Sequence, residues 1–248
     1  MKIAVLGAES TGKSQLAAAL AGALRSQGRT VSLVDEYLRD WCNVQGRTPR
    51  ADEQVLIAHE QVRRVEAADG GHPPATNHAT DPIVLADTTA LMTAVYSELL
   101  FNDASLHDFA IAHQRSYGIT LLTGLDLPWM ADGLQRDGPH TQEAADSLLR
   151  AVLGRASLAY QVVYGKGPAR LENALHAIDA ITEITDTSDT SDTNATTSIA
   201  IHAHGTRARA PFSSQKQEKP AKTAVWTWPC DKCSDPECEH RLFTRLSR

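Results

Sequence analysis

Eight residues near the amino end have the types and spacing of a phosphate-binding loop. Residues 7–14 read GAESTGKS and fit the pattern G-x-x-x-x-G-K-[ST]. Its glycines permit backbone conformations that let successive amide groups turn toward an anion. We expect Lys13 to reach the β- and γ-phosphates of ATP and the Ser14 hydroxyl to bind Mg²⁺. The predicted nucleotide site comprises Gly7, Glu9, Ser10, Thr11, Gly12, Lys13 and Ser14.

Acidic residues after two other apolar runs are candidates for the metal and for an acceptor. Asp87 follows the run IVLA and is expected to help hold Mg²⁺, with a helix N-cap as the alternative role. In the segment VDEYLRDW at 34–41, Glu36 can orient or deprotonate an acceptor hydroxyl. Tyr37 or Trp41 can stack on a flat or cationic ring. The alternative is an amphipathic helix with a solvated charged face.

The segment DLPWMADGLQRDG at 126–138 follows a fourth apolar run and contains Pro128 and Gly133, which mark irregular chain. In P-loop kinases a mobile segment closes over the active site and brings an arginine to the transferring phosphate. The irregular chain at 126–138 is the candidate for such a segment. We assign that role to Arg136; a surface arginine without a role is the alternative. The predicted catalytic residues are Lys13, Glu36, Asp87 and Arg136, and the acceptor site is Glu36, Tyr37, Arg39, Trp41, Trp129 and Asp132.

Five apolar runs of strand length alternate with segments of helical period, a pattern typical of a parallel α/β sheet. It predicts a P-loop NTPase fold, a three-layer αβα arrangement with a mostly parallel five-stranded sheet. The predicted strands are 2–6, 30–34, 83–87, 119–123 and 161–164. The predicted helices are 13–26, 52–68, 89–101, 103–117, 141–153 and 169–184, with a surface loop at 70–81.

Composition changes after residue 184, so we predict a P-loop kinase domain at 1–184, a disordered Thr/Ser/Asp-rich linker at 185–222 and a Cys/His-rich tail at 223–248. In the tail, Cys230, Cys233, Cys238 and His240 have the ligand types of a zinc site. A tail with reduced cysteines is the alternative. A small metal module would suit a protein partner, whereas Cys42 is expected to be a core thiol.

The whole chain, 248 residues with a net charge of −6, contains no signal-peptide core and no apolar run long enough to span a bilayer. We therefore expect a cytoplasmic protein with no membrane partner. The acidic balance argues against a protein that coats nucleic acid. Basic residues of the linker and tail could contact nucleic acid or keep the tail soluble, and we do not predict a nucleic-acid partner.

Taken together, five motifs resemble the ribosylnicotinamide kinase domain of the NadR family. They are GAESTGKS, DEYLRDW, IAHEQ at 57–61, LADTTALMTAVYSELLF at 85–101 and DLPWMADGLQRDG, and the resemblance extends over nearly all of residues 1–180. It implies transfer of the ATP γ-phosphate to the 5′-hydroxyl of nicotinamide riboside. The product would be nicotinamide mononucleotide, a precursor of NAD.

Three features depart from that family. The P-loop begins at Gly7, so we expect neither the adenylyltransferase nor the DNA-binding domain that can precede the kinase. The lid pattern D-G-x-R has Gln135 at its last position and Arg136 one place later. Thr89 occupies a position that often carries a second acidic residue, which leaves Asp87 as the acidic group there. The alternatives are a kinase of another nucleoside and a P-loop ATPase with a regulatory or interaction role.

Overall fold

A parallel sheet forms the centre of the protein in a computed structural model that describes residues 1–70, 82–130 and 139–188. Its five strands lie in the order β2-β3-β1-β4-β5, and each neighbouring pair is parallel. The strands are β1 (Lys2–Leu6), β2 (Val31–Val34), β3 (Ile83–Asp87), β4 (Ile119–Thr123) and β5 (Gln161–Val163). The predicted fold class is confirmed.

Helices cover both faces of this sheet. They are α1 (Lys13–Ser26), α2 (Tyr37–Gln45), α3 (Gln54–Asp69), α4 (Ala90–Phe101), α5 (His107–Gln114), α6 (Pro139–Arg155) and α7 (Gly167–Ser188), with a short 3₁₀ helix at Ala51–Glu53. Successive residues of a strand point to opposite faces. Ile3 and Val5 accordingly pack toward α1 and α7, and Ala4 and Leu6 toward α3, α4 and α6. This arrangement gives the three layers.

The strand register determines which residues meet at the carboxyl edge of the sheet. Val5 of β1 is opposite Asp87 of β3, and Val34 of β2 is opposite Ala86, which also belongs to β3. The chain segments that follow β1, β2 and β3 therefore leave the sheet side by side. In open parallel sheets this edge is where ligands bind.

Two helical segments need comment against the sequence prediction. Residues 37–45 form α2, the amphipathic helix that was the alternative for this segment, and it ends at Gly46 in the left-handed conformation (φ 68°). The helix predicted at 103–117 is confined to His107–Gln114, because Asn102 ends α4 with φ 55° and the Asp103 carboxylate accepts a hydrogen bond from the Ser105 amide at 2.9 Å. Such a local side-chain bond favours a turn over a helix.

The last helix, α7, reaches Ser188, which is four residues beyond the predicted domain boundary at 184. The rest of the predicted linker, the whole predicted tail and residues 71–81 of the predicted loop lie outside the described residues. Among the helices that are described, none combines the length and apolar character that crossing a bilayer requires.

Candidate active site

The phosphate loop leaves β1 at Gly7 and is pressed against the end of β4. A Cβ atom at Gly7 would lie 2.0 Å from the Thr123 hydroxyl oxygen, and the residue has φ +148°, so only glycine suits the position. The hydroxyl groups of Thr11 and Thr123 share a hydrogen bond of 2.6 Å, and Thr11 also donates to the Ala8 carbonyl at 2.7 Å. The loop is thus held in shape by short, buried bonds.

Gly12 places the amino end of α1 at the loop. It is the N-cap of the helix, with φ 76°, and brings no side chain to accept hydrogen bonds from the first-turn amides. Those amides and the helix dipole form a suitable anion site. The Lys13 ammonium donates to the Ala8 carbonyl of the same loop at 2.8 Å. The geometry is that of a phosphate cradle.

Ser14 and Asp87 form the part of the site suited to a magnesium ion. The Ser14 hydroxyl makes a hydrogen bond to the Asp87 carboxylate, while Asp87 Oδ1 is buried with no hydrogen-bond partner among the described residues. Burial raises the pKa of Asp87, and the Ser14 bond and Lys13 oppose that rise. A hydroxyl and a buried carboxylate with a free oxygen are hard ligands that fit Mg²⁺.

No three His, Cys, Asp or Glu residues within the described ranges gather closely enough to hold a metal unaided. Mg²⁺ in nucleotide sites is usually held by one or two protein ligands together with the phosphates and water, so Ser14 and Asp87 would be a sufficient protein contribution. The N-cap of α4, the alternative role for Asp87, belongs to Thr89, whose hydroxyl accepts from the Leu91 amide at 3.2 Å.

Glu36 is the N-cap residue of α2 and brings a second carboxylate to the same edge of the sheet. Its side chain is 11% exposed and lies 3.6 Å from the Arg39 guanidinium. Burial raises the pKa of Glu36 above its ordinary 4.5; Lys13 and Arg39 lower it in part, and the nearby Asp87 raises it further. The structure therefore brings Lys13, Glu36 and Asp87 together, although they are far apart in sequence.

The two aromatic residues of α2 already have arginine neighbours. The Arg64 guanidinium lies 4.4 Å from the centre of the Tyr37 ring, and that of Arg47 lies 4.9 Å from the centre of the Trp41 ring. Each arginine also binds a carboxylate, which fixes it in place; Arg64 reaches Asp40 at 2.6 Å. A ligand ring that stacks here must use another face of Tyr37 or Trp41.

Gln61 of α3 holds the backbone of residues 35–37, part of the segment predicted to bind the acceptor, and the sequence analysis did not single it out as a site residue. Its Oε1 accepts from the Tyr37 amide at 2.7 Å, and its Nε2 lies 3.4 Å from the carbonyl oxygens of Asp35 and Thr88. The residue is buried, and it bridges the ends of β2 and β3. The available signal was a polar residue on the apolar face of a helix, four residues from Ile57 and from Val65.

Other polar contacts around the loop also escaped the sequence analysis. The Glu9 amide donates to the Tyr96 hydroxyl at 3.0 Å, and the Glu9 carbonyl accepts from Gln142 Nε2 at 2.9 Å. The Ser10 hydroxyl and the Met130 backbone are hydrogen-bonded, with the Met130 amide donating at 3.2 Å. Arg170 donates to the Thr11 carbonyl. No sequence pattern predicts the four residues that contact the loop, Tyr96, Gln142, Met130 and Arg170, because each belongs to a different part of the chain.

Of the remaining predicted residues, Trp129 lies one residue before Met130 and is half-buried, and its indole Nε1 has no hydrogen-bond partner among the described residues. Asp132 and Arg136 lie outside the described residues, as do Cys230, Cys233, Cys238 and His240. The roles of the lid arginine and of a tail zinc site therefore stay predictions from the sequence.

Comparison with known proteins gives a matching family model and similar solved structures. A family model described as "AAA domain" matches residues 2–170. A NadR protein in complex with NAD and AMP-PNP superposes with a TM-score of 0.54 and 17% identity over 73% of this chain and 49% of the other. A NadR protein in complex with NR gives a TM-score of 0.56 and 19% identity over 73% and 50%. This chain thus spans about half the length of those proteins. No curated protein sequence matches it.

Proposed function

We propose that this chain, which belongs to the AAA-domain family, is an ATP-dependent kinase that phosphorylates a nucleoside, with nicotinamide riboside as the acceptor. The observation that carries the proposal is the buried Glu36 carboxylate beside Lys13 and Asp87. A simple phosphate-binding module has no need of a second buried carboxylate at this edge. A kinase needs one there, facing the hydroxyl that attacks the γ-phosphate.

Binding of the triphosphate would use the Gly12 and first-turn amides and the Lys13 ammonium. Ser14 and Asp87 would hold Mg²⁺, which neutralises charge on the β- and γ-phosphates when it is bound. The acceptor hydroxyl would donate its hydrogen bond to Glu36. Positioning of these groups, more than covalent chemistry by the protein, would supply the rate enhancement.

In the transfer step the 5′-hydroxyl oxygen forms a bond to the γ-phosphorus while the bond from that phosphorus to the β,γ-bridging oxygen breaks. ADP leaves with the electron pair of the broken bond, and the hydroxyl proton passes to a Glu36 oxygen. The raised pKa of Glu36 suits this role, because a base works best when its pKa lies close to the operating pH. The products are ADP and the nucleoside 5′-phosphate.

Charge supports a cationic acceptor. Asp87, at the end of β3, interacts electrostatically with Glu36 and with Asp35, which follow β2, and Lys13 and Arg39 are the cations that interact with Glu36 and Asp87. Lys13 would turn to the phosphates when ATP binds. The positive pyridinium ring of nicotinamide riboside complements the remaining acidic surface, and it can be held by an aromatic face such as that of Trp129.

The decisive experiment compares nicotinamide riboside with its reduced form, the neutral 1,4-dihydropyridine riboside, which has the same ribose and nearly the same shape. Product formation would be followed by chromatography with ATP and Mg²⁺. We expect kcat/KM for the reduced form to be lower by about tenfold or more, the effect of losing a partly desolvated charge contact. A panel of uncharged nucleosides serves as a second comparison.

The rival functions give different outcomes. Product with another nucleoside but none with nicotinamide riboside would retain the kinase and reject the acceptor. ATP hydrolysis at the same rate with and without any nucleoside would favour a regulatory ATPase and overturn the proposal. For the predicted zinc site, metal analysis of the full chain against its Cys233→Ser variant should give one zinc per chain and less in the variant.

A further inference from the structure

Arg170, near the start of α7, is buried and binds several backbone carbonyls at the back of the phosphate loop. Its Nη1 donates to the Thr11 carbonyl at 2.6 Å. Its Nη2 donates to the Gly124 carbonyl at 3.1 Å and the Asp126 carboxylate at 3.0 Å, and it lies 3.4 Å from the Val163 carbonyl. One guanidinium thus joins the phosphate loop to the segment that follows β4 and to the last residue of β5.

The anchor of this guanidinium is itself held. Asp126 uses one carboxylate oxygen for Arg170 and the other to accept from the Gly165 amide at 2.6 Å. Arg170 is only 4% exposed, and a buried charge is tolerated only when it is paired and hydrogen-bonded. The planar fork of arginine fixes the direction of each donor, which a flexible ammonium cannot do. The Nη1 position at Thr11 is therefore well determined.

The bond to Thr11 sets the direction of the next amide. The Thr11–Gly12 peptide is trans, so its carbonyl oxygen and its N–H point in opposite directions. With the carbonyl drawn back to Arg170, the Gly12 N–H is turned toward the opposite, phosphate-facing side of the loop. The side chain of Thr11 does not orient the Gly12 N–H, because its hydroxyl is hydrogen-bonded to Ala8 and Thr123.

We propose that Arg170 is a positioning residue that orients the Gly12 amide for the nucleotide phosphates, acting through the Thr11 carbonyl. Gly12 has φ 76°, and a Cβ atom there would lie 3.4 Å from Arg170 Nη1, so the arginine also packs directly against this residue. The inference rests on the proposed nucleotide-binding function. It adds a determinant of phosphate affinity that lies outside the P-loop motif and more than 150 residues away in sequence.

The test measures the affinity of Mg²⁺-AMP-PNP by calorimetry, together with the Tm, for the full-length protein. Arg170→Met should weaken AMP-PNP binding by about 10- to 100-fold, the range expected when a charge-assisted hydrogen bond is lost. Arg170→Lys, which can still donate to Thr11, should recover part of that affinity. The affinity for nicotinamide riboside alone should change less than twofold, roughly the level of a surface substitution.

The matched control is Arg25→Met. Arg25 also holds a backbone carbonyl, that of Val31, through Nε at 3.2 Å and Nη2 at 2.8 Å, but it lies at the other end of α1. This variant should lower the Tm without changing AMP-PNP affinity. Arg170→Met with the affinity of the wild type, or a loss that lysine does not relieve at all, would overturn the proposal.

If Arg170→Met does not fold, the Asp126→Asn variant tests the positioning role of Arg170 instead. Asp126 is partly exposed, so this variant should fold, yet it loosens the anchor of Arg170 and should weaken AMP-PNP binding by about three- to tenfold. Unchanged affinity in Asp126→Asn would then reject the positioning role. Failure of the wild-type protein to bind AMP-PNP is a separate result, because it would reject the proposed function itself.

Discussion

The hydroxyl groups of Thr11 and Thr123 lie 2.6 Å apart and join the phosphate loop that follows β1 to the last residue of β4. The Thr123 hydroxyl oxygen also lies 3.1 Å from the Leu6 carbonyl oxygen, so the contact begins where the loop leaves the sheet. Both residues are fully buried. The shape of the loop therefore depends on a neighbouring strand as well as on its own glycines.

Gly7→Ala should destabilise the protein and abolish tight nucleotide binding, because its Cβ would lie 2.0 Å from the Thr123 hydroxyl in a strand end that cannot shift freely. We expect a loss of about 1–3 kcal/mol in the free energy of unfolding, as for other overpacked sites. Denaturant titration measures it. Thr123→Ala in the same chain should restore part of the loss.

The control for Gly7→Ala is Gly22→Ala. Gly22 lies inside α1, and a Cβ atom there would have no heavy atom within 4 Å. Removing a helix-interior glycine should stabilise the protein by about 0.5–1 kcal/mol. Equal destabilisation by both substitutions would contradict the steric explanation at Gly7.

Asp87→Asn should remove the dependence of ATP affinity on Mg²⁺. The wild type should bind ATP at least about tenfold more tightly with Mg²⁺ than in EDTA. The variant should lose most of this difference in affinity, because a neutral amide is a weaker ligand of a hard cation. Calorimetry in the two buffers measures both values. Ser14→Ala should have the same effect in a milder form. A full Mg²⁺ effect in Asp87→Asn would show that the ion is held elsewhere.

Glu36→Gln should reduce kcat by about 10²- to 10⁴-fold while leaving ATP affinity intact, the loss expected for a general base. In the wild type, kcat should fall as the pH drops through the raised pKa of Glu36, with the midpoint above 4.5. A pH–rate profile with no such limb, or full activity in the variant, would exclude Glu36 as the base.

Glu36→Gln should also raise the stability of the protein at pH 8. The folded-state pKa of Glu36 lies above its unfolded value of 4.5, so its contribution to stability is present below pH 4.5 and is lost as the pH rises through the folded pKa. Removing the carboxylate should therefore raise the Tm at pH 8 and change it little at pH 4. The Arg39 partner is about half exposed, and losing that pair should cost little.

Glu53→Gln provides a control of opposite sign. Arg47 binds Glu53 at 2.6 Å and, by hydrogen bonding, lowers its pKa to about 2. Its contribution to stability is present above pH 4.5 and is lost as the pH falls through about 2. This variant should therefore lower the Tm at pH 8 by a small amount, because the pair is partly exposed and solvent screens it. Tm values for both variants across pH 3–8 would check the two signs together.

Thr89→Val should destabilise the protein by about 1–3 kcal/mol without changing ATP affinity. The Thr89 hydroxyl caps α4 and donates to Gln114 Oε1 at 2.7 Å, while Gln114 Nε2 donates to Thr120 at 3.0 Å. Valine removes the cap and leaves the buried Gln114 oxygen without that donor. Thr89→Ser, which keeps the hydroxyl, should be close to wild type. A large change in ATP affinity would mean that Thr89 contributes to the site.

The sequence alone determined the phosphate loop, because adjacent residues form it and its glycines, lysine and serine act at fixed spacing. It also determined the parallel sheet, since the central strands β1, β3 and β4 are short, mainly apolar segments separated by segments of helical period. The expected layers and strand number match the structure. Helix ends were less predictable: α5 begins at His107 because a local turn at Asp103 competes with the helix.

Only the tertiary structure decided which distant side chains complete the site. Gln61, Thr123 and Arg170 act through backbone groups, and any residue offers the same carbonyl and amide, so no motif records the contact. The electrostatic state of Glu36 likewise depends on burial and on Lys13 and Asp87, which strand order brings close. Local spacing can specify a loop, whereas the environment of a charge is a property of the packed protein.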